Sequence, residues 1–227
     1  IGKPLAERLP DEEYDPRLEW ERDGQYYHYL CKWMHALTAA GAFFGIPAFI
    51  SWAAELAKTA HERFTYTNAK GEQLMYWKMS IDLSRPLVPS MGQHDPLDGL
   101  SVYYEIEGEK HSAARDVPVP SLEKEIREMD TMCRYIGLET SDPLGAGGLL
   151  FDLFQLLRGT AAGFIDRRDL ITELLEAALN SVGAVASAER SAPAELRLAF
   201  RELGLSIGLQ TVPYMLELVE DDTYLHL

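Results

Sequence analysis

Cysteine is nearly missing from this sequence. Two occur in 227 residues, Cys31 and Cys133, far apart and each inside an apolar helical pattern. That leaves no disulfide framework, and without a Cys-x-x-Cys pair there is no thiolate zinc site. Buried reduced thiols are expected, with a single disulfide or a nucleophilic thiol as the alternative. Basic residues are also scarce, 21 Lys and Arg against 36 Asp and Glu, for a net charge of −15. Phosphate backbones are held by Lys and Arg clusters, so no nucleic-acid partner is expected, and the acidity reads as a solubility feature. The phosphate-cradling glycine loop, the Gly-x-Ser-x-Gly elbow, His-Glu-x-x-His and the dinucleotide fingerprint are all absent, so no cofactor and no metal is expected. Gly145-Ala-Gly-Gly148 lies in a helical segment rather than after a strand and reads as close helix packing.

A long uncharged run does occur, from Ala36 to Ala54, about the length of a bilayer span. Gly41, Gly45 and Pro47 interrupt it, so it reads as helix, tight turn and second helix, with no membrane partner. No basic segment followed by an apolar stretch and a cleavage site opens the chain, and a cytoplasmic location is expected. Apolar residues at 47% and charged residues at 25% fit a globular chain able to bury a core without staples.

Periodicity supplies the fold class. Residues 1–20 carry Pro4, Pro10 and Pro16 and read as an extended arm before a single helical domain over 21–227. Tyr27, Leu30, Met34 and Leu37 recur at helical spacing over Arg22 to Ala40, and a second helix runs from Pro47 to His61. The period then changes. Phe64–Thr67 and Gln73–Leu83 flank Asn68-Ala-Lys-Gly71 as a β-hairpin, in which Met75, Trp77, Met79 and Ile81 alternate with Leu74, Tyr76, Lys78 and Ser80. A polar loop from Arg85 to Gly99 leads to a short helix over Leu97–Ile106. Ser121 is expected to cap a helix ended by Gly137, Asp142-Pro143 to open one closed by Gly159, and Asp166 to cap a third. Pro193 would start a fourth, with Leu196, Phe200, Leu203 and Ile207 on its face, and Thr211 with Pro213 a last one ending at Glu220-Asp-Asp222. About eight helices with short loops and no fixed repeat give a mainly all-α chain of antiparallel helical hairpins with one inserted β-hairpin.

Three groups could carry chemistry. Gly92-Gln93-His94-Asp95-Pro96-Leu97-Asp98-Gly99 gathers an imidazole, two carboxylates and an amide beside a helix start. His94, Asp95 and Asp98 are the catalytic candidates, since a carboxylate and an imidazole can share acid and base roles when a pocket separates their pKa values. The plainer alternative has Asp95 capping a helix whose first residue is Pro96, with Asp98 favouring its dipole. Second, Gln25, His28, Lys32 and His35 form one stripe among aromatics, either a solvated face or a cavity lining. Third, Trp77 and Tyr76 could stack on sugar rings while Lys78 and Asp82 bond hydroxyls; the alternative is strand packing.

The segments Tyr27-His-Tyr-Leu-Cys-Lys-Trp-Met34, Tyr76-Trp-Lys-Met-Ser-Ile-Asp82 and Gly92-Gln-His-Asp-Pro-Leu-Asp98, in that order of helices, hairpin and loop, resemble the six-hairpin glycosidase-like α/α toroids. That superfamily includes sugar epimerases and unsaturated-uronyl hydrolases. The resemblance implies a central cleft with Asp95 or Asp98 as acid or base, and with Gln25, His28, Lys32, Trp33, Trp77, Lys78 and Gln93 binding a small-molecule or oligosaccharide ligand. The implied activity is glycoside hydrolysis or sugar epimerisation. A non-catalytic carbohydrate-binding or interaction domain is the alternative. Isoprenoid chemistry would want Asp-Asp-x-x-Asp or Asp-x-Asp-Asp, and neither string occurs.

Overall fold

The computed structural model describes residues 2–110, 117–189, 193 and 197–220, and eight helices and five short strands lie among them. The chain is mainly helical, as its periodicity implies. It forms two compact units, Ile1–Tyr135 and Ile136–Leu227.

The first unit opens with a one-turn helix, α1 (Pro16–Glu19), whose cap Asp15 accepts from the Arg17 and Leu18 amides. The preceding segment is tied down rather than free. Leu5 exchanges backbone hydrogen bonds with Glu21 and Asp23, at 2.9 and 2.8 Å. Strand β1 (Gln25–Tyr26) comes next, so the first long helix starts later than its periodicity suggests: α2 is Tyr27–Phe44. Gly45 ends it in the left-handed conformation at φ 65°, and α3 (Pro47–Phe64) runs back with Pro47 in its first turn. The uncharged run is thus a helical hairpin.

The expected β-hairpin forms, but its second strand divides. β2 (Thr65–Thr67) pairs with β3 (Gln73–Met75), and Gly71 at φ 82° serves the turn. The chain then bends at Tyr76–Trp77 and enters a second sheet as β4 (Lys78–Met79), between β1 and β5 (Pro86–Val88). The simple alternation fails there, because Lys78, Met79 and Ser80 are all buried.

α4 (Asp95–Lys110) is longer at both ends than expected. α5 (Glu123–Cys133) has Leu122 at its N-cap position, with the Ser121 hydroxyl accepting from the Glu123 amide at 3.4 Å and the Glu107 carboxylate taking the Leu122 amide, and it ends before Gly137. Contacts His28–Asp95, Lys32–Asp98 and His35–Glu105 advance together along α2 and α4, so these helices run the same way. Lys58–Glu125 and His61–Glu128 do the same for α3 and α5. Consecutive helices therefore alternate in direction. At the centre the Tyr27 and Tyr103 hydroxyls meet at 2.7 Å, and Tyr103 donates to the Ala57 carbonyl.

The second unit holds α6 (Pro143–Ala161), α7 (Arg168–Glu189) and α8 (Ala199–Glu220). α6 runs past Gly159, and Gly163 at φ 79° makes the reversal. α7 starts at Arg168, two residues beyond Asp166. α6 and α8 touch backbone to backbone: a Cβ on Gly147 would lie 2.2 Å from the Gly204 carbonyl oxygen, and one on Gly208 would lie 2.4 Å from that of Gly147. The Gly145–Gly148 run is helix packing, as its context implies. The expected break at Thr211–Pro213 does not occur, and Pro213 sits inside α8. An interior proline costs about 3 kcal/mol, which close packing on α6 offsets. Thr211 sits in that contact, donating to the Gly208 carbonyl at 2.7 Å and reaching that of Leu150. Leu196 and Asp221–Asp222 lie outside the described residues. Among the described residues one helical stretch, Arg168–Ala188, has the length and mean hydropathy of a membrane span, and 39% of it is buried.

Candidate functional site

Helical spacing on α2 sets one side of the candidate site. His28, Lys32 and His35 fall on one face, at i, i+4 and i+7. Facing them on α4 are Asp95, Asp98 and Glu105, at i, i+3 and i+10. The parallel course of the two helices turns these stripes into a ladder of pairs. His28 Nδ1 lies 3.7 Å from Asp95 Oδ1, Lys32 Nζ 3.1 Å from Asp98 Oδ1, and His35 Nδ1 2.7 Å from Glu105 Oε2.

The first rung differs from the others. The Lys32 side chain is half exposed and its pair sits at the surface, whereas Asp95 is 4% exposed. Burial pushes the Asp95 carboxyl up from its ordinary value, and the nearby His28 pulls it only partly back. Its Oδ2 is buried without a hydrogen-bond partner among the described residues. The loop is shaped around this group, since a Cβ on Gly92 would meet Asp95 Oδ2 at 2.4 Å. Asp95 is also not the cap, because the first-turn bond of α4 runs from the Asp98 amide to the His94 carbonyl. A desolvated carboxyl and an imidazole are the group types that acid/base chemistry uses, and here they are neighbours at 3.7 Å rather than hydrogen-bonded.

The remaining sequence-derived candidates divide. Gln93 is exposed and His94 half-buried, with the His94 carbonyl accepting from the Asp98 amide at the start of α4. Gln25 lies outside the stripe, in β1, paired with Met79. Trp33 is 65% exposed on α2. Trp77 packs edge-on against Trp20 at 4.6 Å and Tyr26 at 4.9 Å, which is the strand-packing alternative. Lys78 is fully buried, and its ammonium donates to the Glu19 carbonyl, the Glu19 carboxylate and the Arg22 carbonyl at 2.7, 3.1 and 2.8 Å. All three hydrogens are taken, so Lys78 is a structural lysine that clasps the N-terminal segment. Burial raises the Cys31 thiol well above its usual range, which removes it as a nucleophile at neutral pH.

Glu105 is missing from the sequence-derived set, although it lies on the helical face that Asp95 and Asp98 begin. A cavity of about 440 Å³ lies elsewhere, between α3, α5 and the β2–β3 hairpin. Comparison with protein-family models, with curated proteins and with solved structures finds no match.

Proposed function

We propose that the α2–α4 ladder is the acid/base site of a carbohydrate-active enzyme, of the sugar epimerase or glycoside hydrolase kind. The observation that carries this reading is the buried Asp95 carboxyl, 3.7 Å from His28. Proton transfer is the form of the chemistry this pair favours. Hydrolysis by two carboxylates needs a second free acid about 5–10 Å away, and the nearest candidate, Asp98, is engaged by Lys32. The resemblance of the α2, hairpin and loop segments to six-hairpin α/α toroids supports the same substrate class, and a toroid-like arrangement is part of the proposal.

Incubating the protein with a panel of reducing sugars in deuterium oxide tests it. An epimerase or isomerase incorporates solvent deuterium at a sugar carbon and forms a second sugar, and Asp95→Asn and His28→Gln both abolish incorporation. Oligosaccharide cleavage with the same variant dependence would assign the hydrolase form. Binding without any product would move the reading to a non-catalytic carbohydrate-binding domain.

A further inference from the structure

The cavity between α3, α5 and the β2–β3 hairpin shares no residue with the α2–α4 ladder. Lys58, His61 and Glu62 enter it from α3, and Lys124, Glu125 and Glu128 from α5. Thr65, Tyr66 and Thr67 on β2 and Gln73 on β3 close the third side, with Tyr66 stacked on Tyr76 at 4.3 Å. At about 440 Å³ it falls in the range of small-molecule sites.

Its wall alternates donors and acceptors. Lys58 pairs with Glu125 at 2.9 Å, His61 Nε2 with Glu128 at 2.7 Å, and Lys124 lies 3.7 Å from Glu128. Among the described residues, His61 Nδ1 and Glu125 Oε2 are buried without hydrogen-bond partners, and these residues are 4% and 7% exposed. A buried polar atom left without a partner is destabilising, so each such atom favours a ligand that supplies one. An anion entering here would meet three carboxylates, and a cation would meet two ammonium groups. A metal is disfavoured too, because no group of three or more His, Cys, Asp or Glu suited to one occurs among the described residues. A hydroxyl suits the wall, since it accepts from lysine or glutamine and donates to glutamate at once.

We propose that this cavity is a second binding site, taking a neutral, hydroxyl-rich ring of monosaccharide size. Lys58, Lys124 and Gln73 donate to its hydroxyls, Glu62 and Glu125 accept from them, and the strand threonines edge the site. The site stands whether or not the α2–α4 ladder is catalytic.

Amide chemical shifts of the full chain, titrated with D-glucose, D-galactose and myo-inositol and then with D-glucuronate and D-glucosamine, decide the matter. The expected result is millimolar binding of a neutral ring, with shifts centred on Thr65–Thr67 and Gln73. Glu62→Ala/Lys124→Ala, which alters two exposed side chains, weakens it at least tenfold with an unchanged melting temperature. Asp95→Asn leaves it intact, which separates this site from the ladder. Tighter binding of the charged sugars, shifts centred on α2 and α4, or no shift with any of the five compounds would overturn the proposal.

Discussion

Asp95 lies buried in the first turn of α4 with His28 of α2 as its neighbour at 3.7 Å, so a desolvated carboxyl and an imidazole face each other across two helices that run side by side. This has a consequence for stability. The folded carboxyl has a pKa above its unfolded value, so the native state binds more protons in the interval between the two. Stability is then fullest below the ordinary aspartate range and falls as pH rises towards the folded value. Asp95→Asn should remove that fall and leave the protein as stable at neutral pH as the wild type, or more so by about 1 kcal/mol. Urea unfolding at a series of pH values measures both.

Gly92 should tolerate no side chain while Asp95 is present. Its added Cβ would press on the carboxylate, at 2.4 Å from one oxygen and 2.8 Å from the other. Gly92→Ala is expected to cost about 1–3 kcal/mol, and much less in an Asp95→Ala background. A double-mutant cycle by denaturant unfolding reads the coupling, and strict additivity would refute the contact.

His61 gives a dependence of opposite sign. Burial lowers its pKa, against the pull of Glu128, so the unfolded chain binds the proton more readily. Stability should rise with pH from the folded value up to the ordinary imidazole range near 6.5, and be lost below it. A histidine-selective NMR titration should find this ring titrating below that range, and His61→Gln should flatten the corresponding part of the stability profile.

Lys78→Met should cost about 1–3 kcal/mol, because it leaves two backbone carbonyls and one oxygen of the Glu19 carboxylate, which is 3% exposed, without their donor, while Arg8 still holds the other oxygen at 3.1 Å. Adding Glu19→Gln should recover part of that loss. Thermal melts of the single and double variants test the order.

Gly147→Val should loosen α6 and α8, whose backbones leave no room for a side chain at that contact. Hydrogen exchange resolved by segment is the suitable measurement. Protection should fall in 143–161 and 199–220 while α2 and α3 keep theirs, and a uniform fall would contradict the local origin.

Helices were the most legible part of the sequence as elements, but not always as faces: Leu170, Leu174 and Ala178 of α7 are buried at helical spacing, whereas Phe200, Leu203 and Ile207, expected as one helix face, are exposed on α8. What misled were residues whose local preference lost to a tertiary partner. Pro213 marks a break by backbone chemistry, yet α8 carries through it against α6. Lys78 alternates like a solvent-facing strand residue, but three acceptors from the N-terminal segment draw it inward. The ladder was half visible. Its basic stripe and the Asp95–Asp98 loop stand out in the sequence, but their pairing depends on α2 and α4 running in parallel, and no local pattern encodes that. The α3–α5 cavity was not legible at all, since its residues come from four elements and form no motif.

The Lys78 clasp also changes where this polypeptide can be cut. Proline content and charge invite a boundary after residue 20, as though a dispensable tail preceded the folded part. A protease or a truncation acting there would remove Glu19 and with it two of the three acceptors around a fully buried ammonium. The segment that reads as an extended arm is therefore the cover over a fully buried charge in the first unit, and losing it would expose the Lys78 ammonium at the β1–β4–β5 sheet.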